Sequence, residues 1–387
     1  MRYKIFLLIL LGMLTAFGPF VTDMYLPSLP SMTSYFNTNV SMVQLGLTFS
    51  MLGLAVGQLL FGPVSDKLGR RRPLIISLSL FIVSTLFCIF STDIVFFIAM
   101  RLLQGIAGAG GIVIARSIAT DKFNGHELLK MLAVIGAING IAPIAAPVIG
   151  GVMLETTDWR GIFMVLLGIG LLLLVGSIMF KESLPEEKRS DKSIFATFSL
   201  FGTVARNKRF TRYVLQQGFA QFILFGNIAS SPFIIQQHYG YSALTFSICF
   251  AVNALALGVA AALSVKFRKP ENAVATSCIG MLVTSIVIAC VLFANGSFWA
   301  YEISLFLLMF MMGLTFTAST TLALNSERDH AGTASAMLGA TCFLAGGIVS
   351  PLVGIGNIMI TTAIIFVTGA VFSSIFAVLA QRALRNT

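Results

Sequence analysis

Residues 62–73 read Gly62-Pro63-Val64-Ser65-Asp66-Lys67-Leu68-Gly69-Arg70-Arg71-Arg72-Pro73, a short basic stretch between two apolar runs at 41–62 and 73–91. A hydrocarbon core roughly 30 Å thick is crossed by a helix of about 20 apolar residues, and both runs suit that length. A glycine to turn and cations to stay on one membrane face make the stretch between them a tight hairpin loop. Lipid offers no water to backbone groups, so apolar runs of this length are helices and not lone strands. Composition carries the reading to the whole chain. Hydrophobic residues make up 57% and charged residues 10% of its 387 residues, against about 25% charge in a soluble domain. Most of the surface therefore faces lipid.

Apolar segments fall at about 5–26, 41–62, 73–91, 94–116, 129–153 and 160–180, then 210–237, 241–265, 272–293, 298–323, 331–355 and 358–381. The expected fold is an all-α integral membrane protein of twelve transmembrane helices in two pseudo-symmetric six-helix bundles, 1–180 and 210–387. The linker between them, 181–209, is the only long polar stretch. In it Ile194, Phe198 and Phe201 recur at helical spacing before a basic run, which reads as a helix in the inner interface or as a disordered tether.

The charge of +10 is a topology signal, not a nucleic-acid footprint. With the N-terminus inside, every Lys and Arg except Arg101, Arg116 and Arg160 falls at an inner position, as the positive-inside rule demands. Both termini are therefore expected in the cytoplasm. The apolar start is too long for a typical signal peptide and shows no small-residue cleavage site, so no cleavable leader is expected.

Several chemistries are excluded. Cys88, Cys249, Cys278, Cys290 and Cys342 lie in apolar segments without metal or redox spacing. His126, His238 and His330 fall at loops and assemble neither a metal site nor a catalytic base. No phosphate-binding Gly-rich loop points to ATP. A membrane-embedded enzyme lacks its constellation, and loops this short argue against a sensor.

The aspartate, lysine, glycine and arginine at fixed offsets in 62–73 resemble the signature loop of the major facilitator superfamily. The resemblance implies that Gly62, Asp66, Gly69 and Arg70 form a conformational-switch loop, with Asp66 facing the start of the eleventh helix near Ala331. An anion at a helix N-terminus gains roughly 0.3–1 kcal/mol. The second-half counterpart, Ser264 to Pro270, is basic but lacks the aspartate.

Two further stretches carry the likeness. Arg101-Leu102-Leu103-Gln104-Gly105, followed by Gly108, Gly110 and Gly111, resembles the family's helix-4 motif, whose arginine takes part in proton coupling. A charge placed roughly 10 Å down the helix from its outer start normally faces a partner or a watery cavity. Asp23, in Thr22-Asp23-Met24-Tyr25-Leu26-Pro27, is the partner expected at that height. It reads either as a helix-end cap or as a titrating acid, since burial disfavours a charged carboxyl and a guanidinium favours it. Glu155, Asp158 and Glu302 read as boundary residues and Asp93 as an outer-loop residue, which leaves Asp23 the leading proton site.

In the fifth segment Gly136, Gly140, Pro143, Pro147, Gly150 and Gly151 resemble the helix-5 motif of drug–proton antiporters, with prolines that bend the helix and glycines that permit close packing. The pattern departs from the motif because Gly140 is not followed directly by proline. With Asp158-Trp159-Arg160, these stretches resemble the bicyclomycin/chloramphenicol-resistance branch of twelve-helix efflux transporters. That likeness implies a proton-coupled antiporter in a bacterial inner membrane, exporting small hydrophobic drugs by alternating access. The same fold exporting an amino acid or sugar is the alternative. No cofactor is expected, the proton gradient being the energy source; the partners are substrate, protons and lipid, and the chain is a monomer. Tyr25, Gln104, Asn139, Gln221, Phe222, Asn227 and Asn253 are the expected lining of a cavity for large apolar cations or neutral drugs.

Overall fold

The computed structural model describes residues 2–189, 201–327 and 331–385. Twelve long helices run through them. They are α1 Arg2–Asp23, α2 Val40–Leu68, α3 Arg71–Phe90, α4 Ile94–Lys122, α5 Gly125–Met153 and α6 Trp159–Met179, then α7 Lys208–Phe233, α8 Ala243–Ser264, α9 Pro270–Phe293, α10 Phe298–Asn325, α11 Ala331–Leu352 and α12 Ile358–Arg385. Twelve spans are long and apolar enough to cross a bilayer, and the first extends from Tyr3 to Tyr35. No strand occurs among the described residues. The chain is thus an all-α, multi-pass membrane protein. Residues 201–205 are helical; the rest of the expected linker helix, with Ile194 and Phe198, lies outside the described residues.

Helix starts follow from local chemistry. Asp93, Asp158, Asn207, Ser242 and Ser297 each accept a bond from a backbone N–H in the first turn of the helix that follows, which satisfies donors the helix itself leaves free. Along the helices the usual burial pattern is inverted. Ile76, Phe90, Leu172, Met179 and Ile279 are exposed, while Ser77, Ser84, Thr85, Ser277 and Ser285 are buried. Small polar residues let helices approach and bond inside a bundle, and apolar ones face lipid.

The hairpin at 62–73 is tighter than its sequence suggests. Gly62 and Pro63 stay inside α2, which runs on to Leu68, and Arg71 already belongs to α3. The turn is Gly69 and Arg70 alone. Gly69 has φ of +85°, where a side chain is strained, and a Cβ there would lie 2.6 Å from Glu182 Oε2.

The chain divides into two compact units, Met1–Thr38 with Leu45–Thr197, and Asn39–Gln44 with Phe198–Thr387. Within the first, α1 packs on α4, α5 and α6, and α3 on α4 and α6; within the second, α7 packs on α10, α11 and α12, and α9 on α10 and α12. These five pairings in each unit match when shifted by six helices, the internal pseudo-symmetry expected of the fold, and the second unit adds a packing of α8 on α10.

Candidate functional site

The first span is not one continuous helix. Pro27 has no N–H to offer the Asp23 carbonyl and Pro30 none for that of Leu26. The α-helix therefore stops at Asp23, a 3-10 turn covers Leu26–Ser28, and a short helix, Leu29–Tyr35, completes the span. The apolar run that ends near 26 in the sequence continues to Tyr35 in the structure. Asp23 lies roughly 18 Å of helical rise inside that end. Its residue is 8% exposed, which does not fit a surface cap.

The break is packed against α5. A Cβ on Gly150 would stand 1.8 Å from the Met24 carbonyl oxygen, so only glycine lets the two backbones meet there. Gly151 beside it is buried. Gly136 and Gly140 behave otherwise. A Cβ on either would meet nothing within 4 Å, so close packing, expected of all these glycines, explains Gly150 and not those two. Pro143 and Pro147 sit inside an α5 that remains helical from Gly125 to Met153.

Arg101 is 0% exposed. Its Nη1 donates to Gln104 Oε1, and its Nη2 donates to the Val21 carbonyl at 3.1 Å. The guanidinium carbon lies 4.3 Å from the centre of the Tyr25 ring and 5.5 Å from that of Phe163, within cation–π reach. Gln104 in turn donates from Nε2 to Thr85 Oγ1 at 2.7 Å. Thr85, Gln104, Arg101 and Val21 thus form one chain of hydrogen bonds across α3, α4 and α1. The expected meeting of Asp23 and Arg101 takes an indirect form. Among the described residues no ion pair joins them, and the guanidinium rests on the carbonyl two residues before the acid. Tyr25 and Gln104, expected to line a cavity, are the groups that hold Arg101. The side chain of Asn139 lies outside the described residues.

A second charge cluster lies at the α2–α3 turn. Arg70 Nε donates to Asp121 Oδ2 at 2.9 Å, and Nη1 donates to Ser65 Oγ at 2.8 Å and to Asp66 Oδ1 at 2.5 Å. Burial alone would lower the affinity of this guanidinium for its proton, but Asp121 and Asp66 raise it above the usual arginine value. Glu182, just past α6, accepts from the backbone N–H groups of Arg70, Arg71, Ser183 and Leu184. Burial pushes its carboxyl up, and these four bonds bring it below the usual glutamate value. Ser183 Oγ donates to Asp121 Oδ2 at 3.0 Å, which closes the network. Asp121 and Glu182 were not singled out in the sequence. At a membrane face rich in charge, nothing in their spacing separates a structural acid from a solvated one.

The second unit holds the remaining expected residues. Gln221 and Asn227 are buried, and among the described residues Gln221 Oε1 and Asn227 Oδ1 have no hydrogen-bond donor. Asn227 Nδ2 lies 4.0 Å from the Met309 sulfur. Phe222 is half-buried and packs on Phe219, which stacks on Phe372 and Phe376 of α12. That places these rings in a helix–helix contact. Asn253 donates to Glu302 Oε1 at 2.8 Å. Glu302, expected at a boundary, is the fifth residue of α10 and only 8% exposed, whereas Glu155 and Asp158 are exposed. The helix end was read correctly, but the side chain turns into the bundle.

Comparison with known proteins supplies the family. The profile of the Major Facilitator Superfamily matches residues 8–351. The chain is 38% identical over 383 residues to a Bacillus subtilis protein named "Uncharacterized MFS-type transporter YdgK", covering 97% of this chain and 95% of that one. It is 27% identical to the bicyclomycin resistance protein homolog of Haemophilus influenzae, over 93% and 92% of the two chains. Among solved structures, an inward-facing bacterial homolog of the human lysosomal transporter Spinster superposes with a TM-score of 0.78. That match has 17% identity and covers 98% of this chain and 97% of the other.

Proposed function

The chain belongs to the major facilitator superfamily, a family of transporters and not of enzymes, and on that premise we propose that it is a proton-coupled antiporter exporting small hydrophobic compounds from the cytoplasm by alternating access. The observation that carries the reading is Asp23, an acid buried at the break of α1, two residues from the carbonyl on which the buried Arg101 rests. The break leaves backbone carbonyls without their helical donors, and irregular backbone of this kind in a membrane belongs beside a protein or water-filled site. Arg101 supplies a positive charge there. Substrate and proton would compete at Asp23, so a proton entering down its gradient drives substrate out. Each charge moved across the membrane is worth about 2.3 kcal/mol per 100 mV.

The likeness to a bicyclomycin resistance homolog supports drugs as the cargo. The sorting of Lys and Arg supports a bacterial inner-membrane location with both termini in the cytoplasm. The chain works as a monomer, and the proton gradient is its only energy source.

A panel of drug susceptibilities in a sensitive bacterial host, with and without the protein, tests the reading. Overexpression should raise resistance to at least one hydrophobic drug, and Asp23→Asn at equal abundance in the membrane should abolish the gain. Resistance retained by Asp23→Asn would remove Asp23 from the mechanism.

A further inference from the structure

The second unit buries an acid that, among the described residues, makes no ion pair. Glu302 Oε1 accepts from Asn253 Nδ2 at 2.8 Å, and Oε2, shut away from solvent, meets no well-formed hydrogen bond among the described residues. The Cys249 thiol of α8 lies within hydrogen-bonding reach of this carboxyl, and Tyr301 of its own helix is the other titratable group that interacts with it. Among the described residues no Lys, Arg or His from α7, α8, α9 or α11 makes an ion pair with it. Among the described residues Asn253 Oδ1 and the Tyr301 hydroxyl are likewise buried and unpartnered.

An ionised carboxylate taken out of water without a counter-charge is so costly that the group neutralises itself instead. A proton on Oε2 removes the charge and turns an acceptor without a donor into an O–H. The arrangement has no parallel at Arg101, whose surroundings are built around a permanent charge.

We propose that Glu302, held by Asn253, is a second proton-binding site, located in the second bundle and loading independently of Asp23. The proposal rests on the antiport reading for its use, since two acids let one cycle carry more than one proton, but its chemistry stands on Glu302 alone. The proton binds as O–H on Oε2 and leaves as the carboxylate gains access to water.

Infrared spectroscopy of the purified full-length protein in lipid, titrated through acid, neutral and alkaline pH, reads protonated carboxyls directly through their C=O stretch. Wild type, Asp23→Asn, Glu302→Gln and the double variant are compared. The expected result is a band of protonated carboxyl persisting at neutral pH that Glu302→Gln removes and Asp23→Asn leaves, with unfolding temperature unchanged by the isosteric Glu302→Gln. A neutral-pH spectrum that is the same in wild type and Glu302→Gln overturns the proposal, because Glu302 is then ionised. Loss of the same band in Asp23→Asn overturns its independence. If Glu302→Gln misfolds, Asn253→Leu provides the second arm: it strips the amide donor from the carboxyl and should shift the Glu302 band, and an unmoved band counts against the site. Failure of drug export with the Glu302 band in place would instead count against the antiport reading alone.

Discussion

Helices α4 and α10 occupy equivalent places in their bundles, as the shifted packing lists show, yet they bury opposite charges in different ways. In α4 the Arg101 guanidinium finds an amide oxygen, a backbone carbonyl and an aromatic face, with Nε alone lacking a partner among the described residues. In α10 the Glu302 carboxyl finds the Asn253 amide and the Cys249 thiol and, among the described residues, no ion pair. The difference follows from what each group can do. A guanidinium cannot shed its proton inside a protein, so its surroundings must supply dipoles. A carboxyl can take one and become neutral. One bundle thus holds a fixed charge beside Asp23, and the other a group whose charge depends on access to water.

Stability breaks the comparison most sharply. Arg101→Ala leaves Gln104 Oε1 and the Val21 carbonyl without their donor and empties the space under Tyr25, so it should cost about 2–5 kcal/mol, from two buried acceptors left unpaired and from the cavity. Arg101→Lys keeps the charge but loses the planar fork, and should cost less and impair transport more mildly. Glu302→Gln, the same size, should cost under about 1 kcal/mol. Melting of the purified proteins in one detergent ranks them; a Glu302→Gln loss as large as that of Arg101→Ala would mean the carboxyl is charged and solvated by groups the hydrogen bonds do not reveal.

Gly150→Ala comes next, because it acts on the backbone beneath Asp23. The added Cβ would stand 1.8 Å from the Met24 carbonyl, and overpacking of that kind costs typically about 1–3 kcal/mol. Gly140→Ala, in open space, should be neutral or gain up to about 1 kcal/mol of helix propensity. Equal effects of the two substitutions on melting and on drug export would detach α5 from the α1 site.

Glu182 sharpens the rule that the surroundings set an acid's charge. Four backbone donors hold its folded carboxyl below the ordinary glutamate value of 4.5. A depressed value contributes stability that is complete above the unfolded value and is lost as pH falls through the folded one. Wild type should therefore lose stability on acidification below about the unfolded glutamate value, and Glu182→Gln should show a flatter profile over that window. Parallel profiles would remove Glu182 from the network.

The smallest effect belongs to Asp66→Asn. Its side chain is 52% exposed, and Arg70 keeps Asp121 and Ser65 without it, so the stability change should stay under about 1 kcal/mol, as for exposed pairs. Cysteine accessibility measured on the two sides of the membrane should nevertheless shift if the loop biases conformation; unchanged accessibility with full export would make it a topology signal only.

The helices were legible because length and apolarity alone specify a membrane span. Asp23 and Arg101 were legible because a charge in an apolar run has few bland explanations. The misreadings share one cause, the use of polar or helix-breaking residues as punctuation. Gly62 and Pro63 read as a loop but remain in α2. Pro27 read as the end of a span but only interrupts it, since the short helix to Tyr35 recovers the backbone bonds. Glu302 read as a boundary acid because position along α10 says nothing about which way it turns when every face of the helix is apolar. The Arg70–Asp121–Glu182 network joins three distant stretches, and only the fold brings them together.

Exchange in proteoliposomes reads out whether Asp23 carries the transported proton. Purified wild type and Asp23→Asn are reconstituted with a drug that the susceptibility panel identifies, with and without a pH gradient. The account predicts that wild type accumulates the drug against its gradient when protons flow the other way, while Asp23→Asn still exchanges labelled for unlabelled drug but accumulates none. Gradient-driven accumulation by Asp23→Asn would contradict it and pass the proton to another acid, with Glu302 the first to examine.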